Sequence, residues 1–288
     1  MSKSKSFLLW SLAIIISLST MVYQRTTGPT YPKKVAVELS GQNYEFKLLR
    51  SNEIGTSCDI NLQVEDPEVE ATLYYKRYKV EEAWQAVKMQ RKTTNEKAFF
   101  GEGKAIEVLS ATLPEQPPAG KLEYHIELMK NSETATIAAD EPIVLRFKGF
   151  VPRAILAPHV IFMIISIFIG IRAGIEALFG GDKTLKFTRL TLIAFGIGGL
   201  ILGPIVQDYA FGEYWTGWPF GSDWTDNKTL FAWVFWLIAF VVLRKNKKNK
   251  FWPIVATVVL LAMYMIPHSM GGSELDNETG QIETGVRE

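Results

Sequence analysis

The densest group of chemically versatile side chains lies between residues 207 and 227. This segment holds three tryptophans, two tyrosines, two phenylalanines and four acids among three glycines. Aromatic rings can stack on a planar ligand, and tryptophan and tyrosine also accumulate at the headgroup level of a bilayer. Both alternatives stay open for this loop. Its candidate ligand-contacting residues are Tyr214, Trp215, Trp218, Asp223 and Trp224.

Two histidines lie on either side of the loop in sequence. His159 follows Pro158 near the start of one apolar segment, and His268 follows Pro267 at the end of another. Neutral imidazoles at one depth, beside aromatic rings, are suited to holding a planar metal cofactor such as haem. The alternative is that each histidine caps a helix or lies at an interface. We therefore take His159 and His268 as candidate metal ligands.

Asp223, Asp226 and Asn227 offer oxygen ligands of the kind that hard cations prefer. Two carboxylates and one amide are too few for a complete site. Asp226 also fits the N-cap of the helix that the following apolar run predicts. We expect the capping role for Asp226.

Several function classes lack support. The sequence has no G-x-S-x-G, no P-loop and no H-E-x-x-H, so it gives no indication of hydrolysis or phosphoryl transfer. Cys58 is the single cysteine, which excludes an intramolecular disulfide and a C-x-x-C redox pair. A net charge of +1 gives no field for nucleic acid. These features favour a protein that is not an enzyme and does not bind nucleic acid.

Four apolar segments follow residue 150, and with their flanks they approach the ~20 residues that a spanning helix needs. Because backbone polar groups cannot stay unpaired in lipid, these segments must be helical. They cover residues 154–179, 190–206, 230–243 and 251–266. Within the first, Arg172 and Glu176 are four residues apart on one helix face, which favours a structural ion pair over a transport role.

The N-terminus resembles a signal sequence, since Lys3 and Lys5 precede an apolar run over residues 7–23. The small residues Ser17 and Ser19 would also allow cleavage. We expect an uncleaved signal anchor, and both interpretations place the next segment outside the cytoplasm.

Residues 35–148 alternate apolar and polar positions in short runs, such as 35–39, 44–48 and 60–64. This period of two is typical of antiparallel strands with one buried face. About seven such runs predict an all-β sandwich.

Charge predicts the topology. The short loops 180–189 and 244–250 are rich in lysine and arginine, whereas loop 207–227 has four acids and no base. Basic loops stay in the cytoplasm. The prediction is five spans, an inner N-terminus, and an extracytoplasmic β-domain, aromatic loop and C-terminus.

The expected fold class is a membrane protein with a signal anchor, an all-β sandwich extracytoplasmic domain and a C-terminal bundle of four transmembrane α-helices. The expected boundaries are 1–25 for the anchor, 26–34 for a linker, 35–149 for the sandwich, 150–268 for the bundle and 269–288 for a disordered extracytoplasmic tail.

The stretches VEATLYYKRYKVEEAWQAVKMQR and IEVLSATLPEQPPAGKLEYHIELMKNSETATI resemble fibronectin type III or immunoglobulin-like sandwiches of exported bacterial proteins. The resemblance implies that the strand of Leu73 pairs with one near Trp84. It also implies a tyrosine corner at Tyr124. Such a domain would be a binding or spacer module.

The stretch FGEYWTGWPFGSDWTDNKTLFAW resembles the tryptophan-rich outer loop of haem-handling membrane proteins of cytochrome c assembly. The resemblance implies a haem held against the loop, with His159 and His268 as the flanking ligands. The tight Gly-x-x-Trp-x-Trp-Asp spacing of that family is interrupted here by residues 216–217 and 219–222.

The resulting hypothesis is a protein of the inner (cytoplasmic) membrane whose outer-face aromatic and histidine site binds or handles haem, or serves an electron-transfer system. The alternative is a non-catalytic structural or assembly subunit of a membrane complex. In both cases the partners are the lipid bilayer and other membrane or exported proteins.

Overall fold

The computed structural model describes residues 3–95, 104–268 and 270–283. The chain divides into two compact units. The helical unit comprises residues 1–29, 150–273 and 282–288, and the β unit comprises residues 30–149 and 274–281.

The helical unit contains α1 (Lys3–Thr27), α2 (Arg153–Leu178), α3 (Thr184–Phe195), a π-helical segment (Gly196–Leu202), α4 (Gly203–Phe211), α5 (Trp224–Lys245) and α6 (Phe251–Met265). α3, the π-helical segment and α4 form one continuous helix over Thr184–Phe211. Together with α1, α2 and α5, this makes four helices in the described part of the chain that are long and apolar enough to cross a membrane. α6 is apolar but has only 15 residues, fewer than the ~20 that usually span. The prediction of a membrane protein is thus supported by these helices.

α2 and α6 run antiparallel and pack closely. Thr257 Oγ1 donates to Gly170 O over 3.1 Å, and Tyr264 Oη donates to Met163 O over 3.3 Å. The missing side chain of Gly174 allows this approach, because a Cβ there would lie 2.7 Å from Thr257 Cβ. α1 packs against the same helices through its buried residues Leu9 and Ala13.

Residues 30–149 of the β unit contain eleven strands in their described part, more than the roughly seven expected. They are β1 (Lys33–Leu39), β2 (Gln42–Leu48), β3 (Ser51–Glu53), β4 (Cys58–Gln63), β5 (Glu70–Arg77), β6 (Gln85–Lys88), β7 (Gln90–Asn95), β8 (Ala105–Leu113), β9 (Lys121–Lys130), β10 (Glu133–Ile137) and β11 (Ile143–Lys148). β1 and β2 form a hairpin. A larger sheet has the order β3-β11-β9-β5-β6, with β10 also on β9, and a smaller sheet has the order β4-β8-β7.

One apolar core joins both sheets. Leu62 and Leu109 of the smaller sheet belong to the same buried cluster as Leu73 and Ile126 of the larger one. The chain passes from β6 to β7, and so from one sheet to the other, at the buried Met89. A shared core between two sheets is compatible with a sandwich.

One of two details expected of the sandwich is present in the β unit. β5 pairs antiparallel with β6, which follows Trp84 directly, so the predicted pairing is confirmed. Tyr124 is fully buried and its hydroxyl donates to Leu49 O over 2.8 Å. In a tyrosine corner the acceptor lies a few residues upstream, whereas Leu49 is 75 residues away. The tyrosine therefore ties β9 to the end of β2.

Residues 270–283, expected in a disordered tail, contain two short strands, β12 (Glu274–Leu275) and β13 (Ile282–Glu283). Within the β unit the Lys121 ammonium donates to the Glu274 carboxylate, and Leu275 N donates to Ala119 O over 3.2 Å. These bonds order part of the tail against the turn before β9.

Candidate functional site

The aromatic loop was predicted over residues 207–227, but its two ends are helical in the structure, and only residues 212–223 form the irregular connection between α4 and α5. α4 ends at Phe211. Gly212 N donates to Asp208 O over 2.7 Å, and the left-handed backbone of Gly212 (φ +82°) turns the chain out of the helix. α5 begins after Asp223, whose side chain accepts from Thr225 N over 2.7 Å. The N-cap is therefore Asp223, and the expectation that Asp226 has this role is wrong. Both carboxylates fit the spacing of a cap, but only the first precedes the helix.

Asp226 instead accepts a hydrogen bond from the backbone of the loop at a buried position. The backbone N–H of Thr216 donates to Asp226 Oδ2 over 2.7 Å. The Thr216 hydroxyl lies 3.1 Å from Asp223 Oδ2 and accepts from Gln207 Nε2 over 2.6 Å. Thr216, Asp223 and Asp226 are all buried. The two carboxylates that could have bound a cation are thus used to fix the loop to α4 and α5. Among the described residues no group of three or more His, Cys, Asp or Glu side chains could hold a metal ion.

A second contact anchors the middle of the loop. Trp218 N donates to Asn227 Oδ1 over 2.6 Å, and Trp215 Nε1 donates to Trp218 O over 3.1 Å. Gly217 lies against α5 so closely that a Cβ would come within 2.6 Å of Asp226 Cβ. Only glycine permits this approach.

The loop directs aromatic rings away from its polar centre. Phe220 is 79% exposed, Trp218 69%, Tyr214 59% and Trp224 53%, whereas Trp215 is half-buried. Of the five predicted ligand-contacting residues, three therefore present exposed rings, and Asp223 is enclosed. The arrangement offers aromatic faces or edges for stacking or burial, without an exposed carboxylate from Asp223 or Asp226.

His159 contacts the π-helical segment. Its Nδ1 lies 2.9 Å from Gly198 O. A carbonyl oxygen can only accept, so Nδ1 carries the proton and the neutral ring keeps its lone pair on Nε2. Gly198 O also accepts from Gly203 N, five residues on, as the π-helical geometry requires. The imidazole is thereby oriented by the backbone of the neighbouring helix.

His268 lies just beyond α6. The buried Lys228 ammonium donates to Ile266 O over 2.8 Å and to Pro267 O over 3.3 Å, which fixes the chain directly before it. A Cβ at Gly28, just after α1, would lie 3.6 Å from His268 O.

The pairing of α2 with α6 relates the heights of the two histidines. Gly170 contacts Thr257, and Met163 contacts Tyr264, seven residues further along each antiparallel helix. Four residues beyond this second contact, the same register would bring position 159 of α2 level with position 268. α6 itself ends at Met265, three residues before His268. Both histidines therefore lie towards the same end of the helical unit.

Three elements of this region were not predicted. The π-helical segment lies within an apolar run whose only signal is its group of glycines, Gly196, Gly198 and Gly199. The roles of Thr216 and Gln207 could not be seen because their partners are distant in sequence. Lys228 could have been noted as a lone base near the start of a predicted span.

Comparisons with known proteins give the chain no relative from which a role could be transferred. No protein-family model, no curated protein and no solved structure matches the chain.

Proposed function

We propose that the chain is a non-enzymatic membrane protein whose aromatic loop and His159 form a binding site for a planar metal cofactor such as haem. The observation that carries the proposal is the hydrogen bond between His159 Nδ1 and Gly198 O. Histidines that ligate metals typically donate their second ring nitrogen to a carbonyl, which fixes the ring and raises its basicity. Nε2 of His159 has the required lone pair.

Two further features support this site. The exposed rings of Tyr214, Trp218 and Trp224 offer surfaces on which a macrocycle could stack. His268 lies towards the same end of the helical unit as His159 and could supply a second axial ligand. A bound haem would bring redox or carrier chemistry; the residues of the chain would orient it and shield it from water.

Haem titration of the purified full-length chain tests the proposal. We expect a Soret band and a bis-histidine spectrum that His159→Ala abolishes and His268→Ala converts to a five-coordinate spectrum. His125→Ala is the matched control, because it removes the third histidine, on β9, without touching the helical unit. Equal haem binding by wild type and the His159→Ala/His268→Ala double variant would contradict the proposal.

A second function, as an assembly subunit of a membrane complex, is favoured by the exposure of the loop. Trp218 and Phe220 are the most exposed rings of the loop, and such rings are enriched at the centres of protein interfaces. In this version an immunoglobulin-like or fibronectin-like β unit would bind an exported partner. Isolation in mild detergent should yield a larger complex that Trp218→Ser/Phe220→Ser disrupts. A chain that stays monomeric at all detergent concentrations would argue against it.

The proposed location is the inner membrane, with the β unit and the aromatic loop outside. The distribution of bases in the short loops supports this orientation. Reporter fusions after residue 149 and after residue 245 would test it. Alkaline phosphatase should be active at the first site and inactive at the second, and the reverse result would invert the topology.

A further inference from the structure

The turn between α2 and α3, residues 179–183, is surrounded by lysines from three parts of the helical unit. Lys250, which precedes α6, places its ammonium 3.1 Å from the position that a Cβ of Gly180 would occupy. Gly180 has a left-handed backbone (φ +68°), and its missing side chain leaves room for this lysine. The Lys5 ammonium of α1 lies 5.4 Å from the centre of the Phe179 ring. Lys183 is the third lysine and is the last residue of the turn itself.

The neighbouring segments strengthen the positive charge. Between residues 179 and 189 and between residues 244 and 250, Asp182 is the single acid. Among the described residues neither Lys183 nor Lys250 takes part in an ion pair with a carboxylate. The basic residues of these segments are all exposed: Lys183, Lys186, Arg189, Arg244, Lys245, Lys247, Lys248 and Lys250.

The one carboxylate beneath the turn does not cancel this charge. Glu176 fills the space beside Gly181 and accepts from Lys183 N over 3.2 Å. Its charge is matched by Arg172, 2.6 Å away. An anion approaching the turn from outside therefore meets the ammonium groups of Lys5, Lys183 and Lys250 against one exposed carboxylate, that of Asp182, while the charge of Glu176 is already matched.

Apolar side chains border the lysines. Leu178 is 61% exposed, Phe179 49% and Phe251 64%. Leu178 and Phe179 lie at the end of α2, which is long and apolar enough to cross a membrane, and Phe251 begins the shorter apolar helix α6. Lysines above exposed apolar side chains match a phospholipid, which has a phosphate above acyl chains.

We propose that the turn 179–183, with Lys5, Lys183 and Lys250, binds the headgroup of an acidic phospholipid. The lysines would contact the phosphate, and Phe179 and Phe251 would pack against the first acyl carbons. This site is at the opposite end of the helical unit from the aromatic loop, so it is independent of the proposed function.

Lipid binding to the purified full-length chain tests the proposal by native mass spectrometry, with phosphatidylglycerol as the probe and phosphatidylcholine as the neutral reference. The site variant is Lys5→Gln/Lys183→Gln/Lys250→Gln. The control is Lys245→Gln/Lys247→Gln/Lys248→Gln, which removes the same charge from the same end of the helical unit. A lysine near an anionic surface contributes about a fivefold gain in affinity. We expect the site variant to lose roughly a hundredfold in phosphatidylglycerol affinity, and the control to lose much less.

Three outcomes would overturn the proposal. Equal losses in both triple variants would mean that diffuse charge attracts the lipid. Equal affinity for the two lipids would exclude recognition of an anionic headgroup. Displacement of phosphatidylglycerol by excess inorganic phosphate would identify a soluble anion as the ligand. If the site variant does not fold, Lys250→Gln against Lys248→Gln gives the same comparison with one charge removed in each.

Discussion

Arg172 and Glu176 form an ion pair on α2, with Arg172 Nη1 2.6 Å from Glu176 Oε2 and both side chains almost completely buried. The groups are in contact but lack the alignment of a hydrogen bond. The guanidinium carbon lies 5.3 Å from the Trp10 ring and 5.0 Å from the Phe187 ring. The sequence predicted the pair, but the aromatic groups that enclose it come from α1 and α3. The charge of Arg172 is therefore shielded by three helices.

Removing the Glu176 carboxylate should destabilise the fold more than removing the Arg172 guanidinium. In Glu176→Gln the guanidinium stays charged, because arginine does not lose its proton in proteins. In Arg172→Met the remaining carboxyl can become neutral by binding a proton. We expect Glu176→Gln to lower the free energy of unfolding by about 3–5 kcal/mol and Arg172→Met to lower it less. Thermal or denaturant unfolding in detergent measures both.

The matched control is Arg172→Met/Glu176→Leu, which removes both charges and keeps the side-chain volume close. Replacement of a buried ion pair by apolar groups is often neutral or stabilising. The double variant should therefore unfold near the wild-type temperature. If the double variant is as unstable as Glu176→Gln, the fold needs the ion pair itself, and not only the absence of an unpaired buried charge.

Trp10 should be required for the docking of α1. Its ring contacts Phe168 at 5.2 Å and Phe187 at 5.5 Å between centroids, in addition to Arg172. A desolvated cation–π contact contributes about 2 kcal/mol, and the lost packing adds to it. We expect Trp10→Ala to lower the free energy of unfolding by at least about 2 kcal/mol, as measured by denaturant unfolding in detergent. Phe7→Ala on the same helix, where the side chain is 74% exposed, should change it little.

Gly217 should tolerate no side chain. A Cβ would lie 2.6 Å from Asp226 Cβ and 2.8 Å from Asn227 Oδ1, so the loop must move away from α5. Gly217→Ala should therefore break the bonds from Thr216 N and Trp218 N and expose the loop to limited proteolysis. Phe220→Ala is the control, since it removes an exposed ring and leaves both bonds in place. Equal cleavage of the two variants would mean that these bonds do not order the loop.

The parts of the fold that depend on local patterns could be predicted. Uniformly apolar runs predicted the helices. The alternation of apolar and polar residues predicted the strands, as in β9, where Leu122, Tyr124 and Ile126 are buried and the residues between them are not. The candidate site depended on distant partners. Thr216 binds a carboxylate ten residues later, and Lys228 binds carbonyls 38 and 39 residues later. The backbone hydrogen bonds of the π-helical segment join residues five apart instead of four, and this small difference is not resolved by the apolar periodicity of the sequence.

His125 should make the stability of the β unit depend on pH. Its ring stacks on Tyr74 at 4.9 Å and meets the edge of Trp84 at 4.5 Å. Burial lowers the pKa of His125, and the nearby Glu127 only partly opposes this. The unfolded state therefore binds the proton more readily than the folded state. The resulting stability is present above the unfolded pKa of about 6.5 and is lost as the pH falls towards the lowered folded pKa.

The variant His125→Phe keeps an aromatic ring between Tyr74 and Trp84 but cannot be protonated. Unfolding temperatures of wild type and variant, followed by circular dichroism between pH 8 and pH 5, should differ by a constant above about pH 6.5. Below that pH the wild type should lose stability relative to the variant. A difference that does not change with pH would show that protonation of His125 is not coupled to folding.

Cys58 should be unreactive until the β unit unfolds. Burial, with a smaller contribution from the Asp59 carboxylate, raises the pKa of the Cys58 thiol to about 12. The side chain is also buried in the core at the start of β4. Alkylation requires the thiolate, which is a very small fraction at pH 8. Intact mass after treatment with N-ethylmaleimide should show no adduct in the native chain and one adduct in denaturant.

In Cys58→Ser/Ser57→Cys the thiol moves to an exposed neighbouring position, and it should react at once under native conditions. Rapid native labelling of the wild type would mean that β4 opens far more often than its buried position predicts.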